Sequence, residues 1–120
     1  MSSGYIALFP SREYITRVKS RYKGYLTLYN KLDTSGFSYQ VADNFRQNML
    51  DNGYTPNNWD YGAVAYDRFS YFYKFPVSII FESGFISNPY EEAFLTDQTK
   101  QDIIINSQYE SIIKSINSKF

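Results

Sequence analysis

The feature that most constrains the fold of this chain is an apolar run, Val77–Phe81, which follows Pro76 and ends on Glu82. The run has strand length and is rich in β-branched side chains, so it predicts a buried strand. Asn88 and Pro89 come next and predict a helix start, because Asn caps helices and proline is favoured at the first helical position. A strand followed at once by a helix is typical of layered α/β domains.

Three other segments have the pattern of short strands, namely Gly4–Pro10, Tyr25–Asn30 and Ala63–Tyr66. Helical patterns separate them, so we predict an α/β fold with helices packed on a small, mostly parallel sheet of about four strands. All 120 residues are assigned to one domain. Functional groups gather at the carboxyl ends of parallel strands, and Glu82 is predicted to lie there, on the most buried strand.

Two longer helices are predicted. The first, Ser38–Asn52, is ended by Gly53 in a left-handed conformation, and its apolar stripe consists of Val41, Ala42, Phe45, Met49 and Leu50. The last helix is predicted to be capped by Thr96; one of its faces carries Ile105, Tyr109, Ile112 and Ile116, with Ile104 and Ile113 beside it.

The basic segment from Ser11 to Gly24 fits either a helix capped by Ser11 or a strand. Its charges fit either a solvated face or a phosphate-binding patch. Since the net charge of the chain is zero, no nucleic-acid partner is expected. No apolar run reaches the length of a membrane helix, so membrane insertion is not expected. The first ten residues lack the basic and apolar regions of a signal peptide, so none is expected in this sequence.

The chain contains no histidine and no cysteine. A zinc site with nitrogen or sulfur ligands therefore cannot be built from this chain alone, and Ser-His-Asp and Cys-His catalysis are excluded. Any chemistry would have to use Asp, Glu, Lys, Tyr or Ser.

The stretch Phe75–Leu95 closely resembles the last-strand motif of zinc-dependent N-acetylmuramoyl-L-alanine amidases, the amidase-3 family of peptidoglycan hydrolases. The matching positions are Pro76, Glu82, Gly84, Phe85, Ser87, Asn88, Pro89, Glu91 and Glu92. The two longer helices also fall where the family places them. The resemblance implies a truncated amidase-3 fold that corresponds to the C-terminal two thirds or so of a family domain.

By this resemblance Glu82 is the catalytic carboxylate, which accepts a proton from a zinc-bound water. Gly84 would allow a tight turn after it. The alternative is that Glu82 is structural and accepts hydrogen bonds from the backbone N–H groups of residues 84 to 88. The family takes zinc ligands from an N-terminal part that this sequence does not contain. Its remaining histidine ligand corresponds here to Phe9, which cannot bind zinc, so no metal and no other cofactor is expected.

Two functional interpretations follow. The first is a degenerate, non-catalytic amidase-like domain with a binding, regulatory or assembly role; the second is a C-terminal fragment of a split amidase that acts only with its missing half. A decayed gene product remains a third. The family suggests the cell envelope or periplasm as the location.

Candidate partners are peptidoglycan fragments and either a second copy of the chain or a complementary chain. A homodimer is favoured, because an incomplete sheet should leave an unpaired edge or an uncovered apolar face. Trp59 and the aromatic stretch Tyr66–Phe75 fit either core packing or a surface that stacks against sugar or peptide.

Overall fold

A computed structural model of the protein describes residues 3–11, 13–14, 36–58, 62–67, 78–85 and 87–119. These residues form the strands β1 (Ile6–Phe9), β2 (Ala63–Ala65) and β3 (Ile80–Glu82) and the helices α1 (Phe37–Asp51), α2 (Pro89–Leu95) and α3 (Gln98–Lys119). The predicted α/β class is confirmed. The predicted strand Tyr25–Asn30, Trp59, Pro76 and most of the aromatic stretch lie outside the described residues.

The described sheet has three strands and is mixed. β1 lies in the middle, pairs in parallel with β2 and pairs antiparallel with β3. The described residues thus do not form the predicted sheet of about four mostly parallel strands. An apolar run fits either pairing direction, so the pattern at Val77–Phe81 could not reveal that β3 runs opposite to β1.

The most buried strand is β1 and not β3, contrary to the prediction. All four residues of β1 are buried, whereas all three residues of β3 are only half-buried. The central strand has neighbours on both sides, while β3 pairs with β1 alone among the described strands. β2 agrees with its predicted position to within one residue.

Helix α1 covers one face of β1 and matches its predicted stripe. Val41, Ala42, Phe45 and Met49 are buried, while Leu50 is 38% exposed. The helix ends in the predicted way: Gly53 is left-handed with φ of 83°, its N–H donates to the Leu50 carbonyl, and the Tyr54 N–H donates to the Met49 carbonyl. These two bonds form a Schellman motif, which satisfies the last carbonyls of the helix.

The core lies between α1 and the sheet and is built around Phe45, which is fully buried. Its ring contacts the ring of Tyr5 edge-to-face at a centroid distance of 5.7 Å and the ring of Phe81 at 4.7 Å. The Tyr5 hydroxyl donates to the Arg46 carbonyl at 3.0 Å, so the buried phenol keeps a hydrogen-bond partner. One aromatic cluster thereby joins α1, β3 and Tyr5, the residue directly before β1.

The cap of α3 is Asp97, and the predicted cap Thr96 ends α2 instead. The Asp97 carboxylate accepts a hydrogen bond from the Lys100 N–H at 2.9 Å. The Thr96 hydroxyl donates back to the Glu92 carbonyl at 2.9 Å. Thr96 and Asp97 are adjacent because α2 ends where α3 begins. The Asp97 carboxylate caps the N-terminus of α3, since it accepts a backbone N–H bond and its negative charge suits the positive end of the helix dipole.

Helix α3 packs on α1 through serines. Ser107, Ser111 and Ser115, spaced four residues apart, are buried together with Ile104. Asn44 of α1 donates to the Ser115 hydroxyl at 2.9 Å, and Asn48 donates to the Ser107 carbonyl at 3.2 Å. Small side chains let the two helices approach closely, and the two amides bridge them.

The predicted apolar face of α3 exists, but it faces outward. Its side chains are exposed by 38% to 59% at Ile105, Tyr109, Ile112 and Ile116. None of the described helices is both long enough and apolar enough to cross a membrane.

Candidate functional site

Glu82 ends β3 and lies beside the amino end of β1, where it pairs with Ile6. β2 runs parallel to β1 and β3 runs antiparallel to it. The carboxyl end of β2 therefore lies beside the carboxyl end of β1, and the carboxyl end of β3 lies beside the amino end of β1. The expected gathering of functional groups at one carboxyl edge therefore does not occur among the described strands. The side chain of Glu82 is half-buried and forms no hydrogen bond or ion pair with another described residue.

Phe9 lies at the other end of β1. It lies three positions after Ile6, the partner of Glu82, which corresponds to about 10 Å along the strand. Its side chain is 9% exposed and contacts the Tyr39 ring edge-to-face at 5.5 Å. The structure thus places Phe9 in the core and does not bring it next to Glu82; its correspondence to a zinc ligand remains a prediction.

Glu91 is the buried carboxylate of this region, with only 6% of its surface exposed. One carboxylate oxygen, Oε1, accepts a hydrogen bond from the Phe85 backbone N–H at 2.7 Å, and the other, Oε2, accepts one from the Gly4 N–H. The side chain therefore ties the turn after β3 to the segment that precedes β1. The structural role that we considered for Glu82, accepting bonds from the turn, belongs to Glu91.

Gly84 leaves room for the Glu91 carboxylate, and its backbone does not need the conformational freedom of glycine. Its backbone is not in the left-handed region that favours glycine. A Cβ atom at this position would come within 3.0 Å of Glu91 Oε1 and 3.3 Å of a Leu95 methyl carbon. The expectation that Gly84 supplies conformational freedom is therefore corrected: it supplies space.

Asn88 and Pro89 begin α2 as predicted. The Asn88 carboxamide oxygen accepts a hydrogen bond from the Tyr90 N–H at 3.0 Å, and Pro89 is the first helical residue. The Asn88 N–H donates to the Phe85 carbonyl at 3.0 Å, which closes the turn between strand and helix. Phe85 is half-buried in this turn and Ser87 is exposed. The motif residues after Glu82 thus build one compact turn that Glu91 secures from the inside.

A cleft of about 390 Å³ opens beside this turn. Its walls combine hydroxyl, carboxamide and aromatic groups, and its lining residues include Ser3, Tyr54, Asn88, Tyr90, Glu91 and Phe94. Tyr90 is 84% exposed at its rim, and the rings of Tyr54 and Phe94 meet edge-to-face at 5.5 Å. Burial, and secondarily the charge of Asp97, raises the pKa of Tyr54, so its phenol remains a neutral donor.

Sequence reasoning missed Tyr54, Tyr90 and the inward orientation of Glu91. The one local signal, the position of Glu91 three residues after the helix cap, is typical of a capping box, in which Glu91 would bond back to the Asn88 N–H. The structure turns the carboxylate toward Gly4 and Phe85 instead.

The residues of this chain do not fit a zinc ion. The sequence offers no imidazole or thiolate, and no three carboxylates of the described residues lie close enough together to hold a metal. Glu91 is also engaged by two backbone N–H groups. We therefore derive no reaction step through a metal bound by this chain alone.

The fold is similar to that of the N-acetylmuramyl-L-alanine amidase Ami1 from Mycobacterium smegmatis, with a TM-score of 0.70 and 18% sequence identity over 98% of this chain. The chain spans about half of that protein, 49% of its length. No family model and no curated protein sequence matches the chain. At this identity the likeness shows a shared fold, and the predicted amidase-like fold is confirmed at that level.

Proposed function

We propose that this chain is an amidase-like domain that binds muramoyl-peptide fragments of peptidoglycan without hydrolysing them by itself. The binding site in this proposal is the cleft beside α2, whose lining includes Asn88 and Glu91 of the amidase-like motif. The role at the cell envelope would then be recognition, regulation or assembly.

The observation that carries the proposal is that Asn88 and Glu91 of the amidase-like motif line a cleft, although the chain offers no histidine or cysteine as a zinc ligand. Glu91 and Asn88 accept hydrogen bonds from the backbone N–H groups of Phe85 and Tyr90 beside this cleft. A fold shared with a peptidoglycan amidase supports descent from such a hydrolase. Ligand binding needs shape and hydrogen-bonding groups, whereas amide hydrolysis also needs an activated water.

The chemistry of the cleft suits a glycopeptide. A muramoyl peptide presents hydroxyl, amide and carboxylate groups beside the apolar face of a sugar ring. Tyr90 offers an exposed ring for that face, and the Ser3 and Tyr54 side chains offer polar atoms around it. An aromatic contact of this kind contributes about 0.5–1.5 kcal/mol.

The test is a titration of the ¹⁵N-labelled protein with N-acetylmuramoyl-L-alanyl-D-isoglutamine, followed by NMR. We expect saturable shifts at the amides of Tyr54, Tyr90 and Glu91 and, on incubation with added zinc, no release of a free peptide amine. Tyr90→Ala should weaken binding by about 2- to 10-fold.

The matched control is Tyr39→Ala, because Tyr39 is also exposed, at 53%, but contacts Phe9 at the other end of β1. This variant should bind as the wild type does. Absence of shifts at millimolar ligand, or equal weakening in both variants, would contradict binding in this cleft.

A second candidate function is a split amidase, which is favoured by the coverage of only about half of Ami1. In that case another chain would supply the zinc ligands and Glu82 would still act as a base. A His- and Glu-containing reading frame directly upstream would allow the two chains to be expressed together. Hydrolysis by the pair, abolished by Glu82→Gln without loss of muropeptide binding, would establish this alternative over the first.

A further inference from the structure

The exposed apolar stripe of α3 has the spacing of a coiled-coil seam. Ile105, Tyr109, Ile112 and Ile116 follow one another at steps of four, three and four residues, and they are exposed by 58%, 59%, 38% and 39%. Steps that alternate between three and four keep side chains on one side of a helix over several turns. The serine face of the same helix already packs on α1, so this stripe is a second, separate surface.

Polar residues extend the same spacing at both ends. Asp102 lies three residues before Ile105, and Lys119 lies three residues after Ile116. The stripe therefore begins with a negative charge and ends with a positive one. From Asp102 to Lys119 it is about 26 Å long, at 1.5 Å per residue.

We propose that this stripe is the interface of a homodimer in which the α3 helices of two copies pack antiparallel. The stripe is complementary to itself when it is reversed about a point midway between Tyr109 and Ile112. Tyr109 then faces Ile112 of the second copy and Ile105 faces its Ile116. An antiparallel pair of helices needs this alternation, because each a position meets a d position of the other helix.

The charges select the antiparallel orientation. It places Asp102 opposite Lys119 of the second copy, and the two-fold symmetry creates this pair twice. A parallel pair would place Asp102 against Asp102 and Lys119 against Lys119, and like charges that face one another destabilise an interface. This inference rests on α3 alone and does not depend on the proposed binding of muropeptides.

The first test is the mass of the wild-type protein in sedimentation velocity between 1 and about 200 µM, where we expect a concentration-dependent dimer. Ile112→Lys lies next to the symmetry axis and should give a monomer with an unchanged circular dichroism spectrum. The control Asn117→Lys, at an exposed position outside the stripe, should dimerise normally. A monomeric wild type, or a dimer that Ile112→Lys leaves intact, would overturn the proposal.

The second test reads orientation by charge reversal. Asp102→Lys should weaken the dimer at least about threefold, because both symmetric ion pairs become repulsions. Adding Lys119→Asp to Asp102→Lys should restore it. Failure of the double variant to recover any affinity would argue against the antiparallel register.

The third test uses the natural absence of cysteine in this chain. Ile105→Cys and Ile116→Cys proteins, mixed and oxidised mildly, should cross-link mainly to each other, because these positions face one another in the proposed dimer. A parallel dimer would instead give cross-links mainly between identical variants. A partner other than a second copy would give neither product, and that outcome also overturns the proposal.

Discussion

The Glu91 carboxylate accepts a hydrogen bond from the backbone N–H of Gly4, a residue 87 positions earlier in the sequence. Its other oxygen holds the Phe85 N–H. A single buried side chain thus connects the entrance of the central strand with the turn after β3, and it does so at the wall of the proposed binding cleft.

We predict that Glu91→Gln destabilises the protein by about 1–3 kcal/mol. The amide keeps the shape of the carboxylate, but one of its two polar atoms becomes a donor and then opposes a backbone N–H group. The control is Glu92→Gln, since Glu92 is exposed beside it and should change stability by no more than about 0.5 kcal/mol. Urea denaturation followed by circular dichroism measures both; equal stability of the two variants would contradict the buried role of Glu91.

We predict that Gly84→Ala destabilises the protein through Glu91. The added Cβ would lie 3.0 Å from Glu91 Oε1, so the carboxylate must give way by a few tenths of an ångström, and we expect this to disturb its hydrogen bond to the Phe85 N–H. We expect a loss of about 1–3 kcal/mol. In a Glu91→Ala background the same substitution should cost less, because the obstructing oxygens are gone. A double-mutant cycle measures this coupling, and strictly additive losses would show that Gly84 is needed for another reason.

Parts of this fold were predictable because local signals agreed with one another. Helix α1 has a regular apolar stripe and a glycine after its last turn, and its observed span, Phe37–Asp51, differs from the prediction by one residue at each end. Asn88 and Pro89 placed the start of α2 correctly for the same reason. Stripes and caps are local properties, and a sequence carries them directly.

The direction of β3 and the burial of Glu91 were not predictable, because both depend on distant partners. Ile80 fits a parallel or an antiparallel neighbour equally well. A glutamate in the first turn of a helix is ordinarily exposed, and Glu91 can be buried because the Gly4 and Phe85 N–H groups approach its two oxygens. The inward face of α3 was not predictable for a related reason. The serine hydroxyls donate to carbonyls of their own helix, so they can be buried, but which face is buried depends on where α1 packs.

We predict that Ser111 tolerates a smaller side chain but not a larger one. Ser111 is fully buried where α3 meets α1, so Ser111→Leu should overpack the contact and cost about 1–3 kcal/mol. Ser111→Ala loses the bond from the hydroxyl to the Gln108 carbonyl and should stay within about 1 kcal/mol of the wild type. The exposed Ser118→Leu is the matched control. Thermal unfolding measures the stability of the three variants. A Ser111→Leu protein as stable as the wild type would contradict the close packing of the helices.

We predict that Tyr5 makes stability depend on pH in the alkaline range. Burial raises the pKa of its phenol to about 12, although the nearby Arg46 charge acts in the opposite direction. A group whose pKa is raised by folding binds its proton more tightly in the folded protein. Its contribution to stability is therefore complete below the ordinary tyrosine pKa of about 10 and is lost as the pH rises from there to about 12.

Tyr5→Phe removes this titration together with the hydrogen bond to the Arg46 carbonyl. At neutral pH the variant should be less stable by about 0.5–1.5 kcal/mol. The difference from the wild type should then shrink as the pH rises above about 10, because only the wild type must expose or ionise a buried phenol. Urea denaturation of both proteins at several pH values measures that difference, and comparison at equal pH cancels the titration of the tyrosines and lysines that they share. A difference that stays constant up to pH 12 would show that Tyr5 ionises in the folded protein as easily as in the unfolded one.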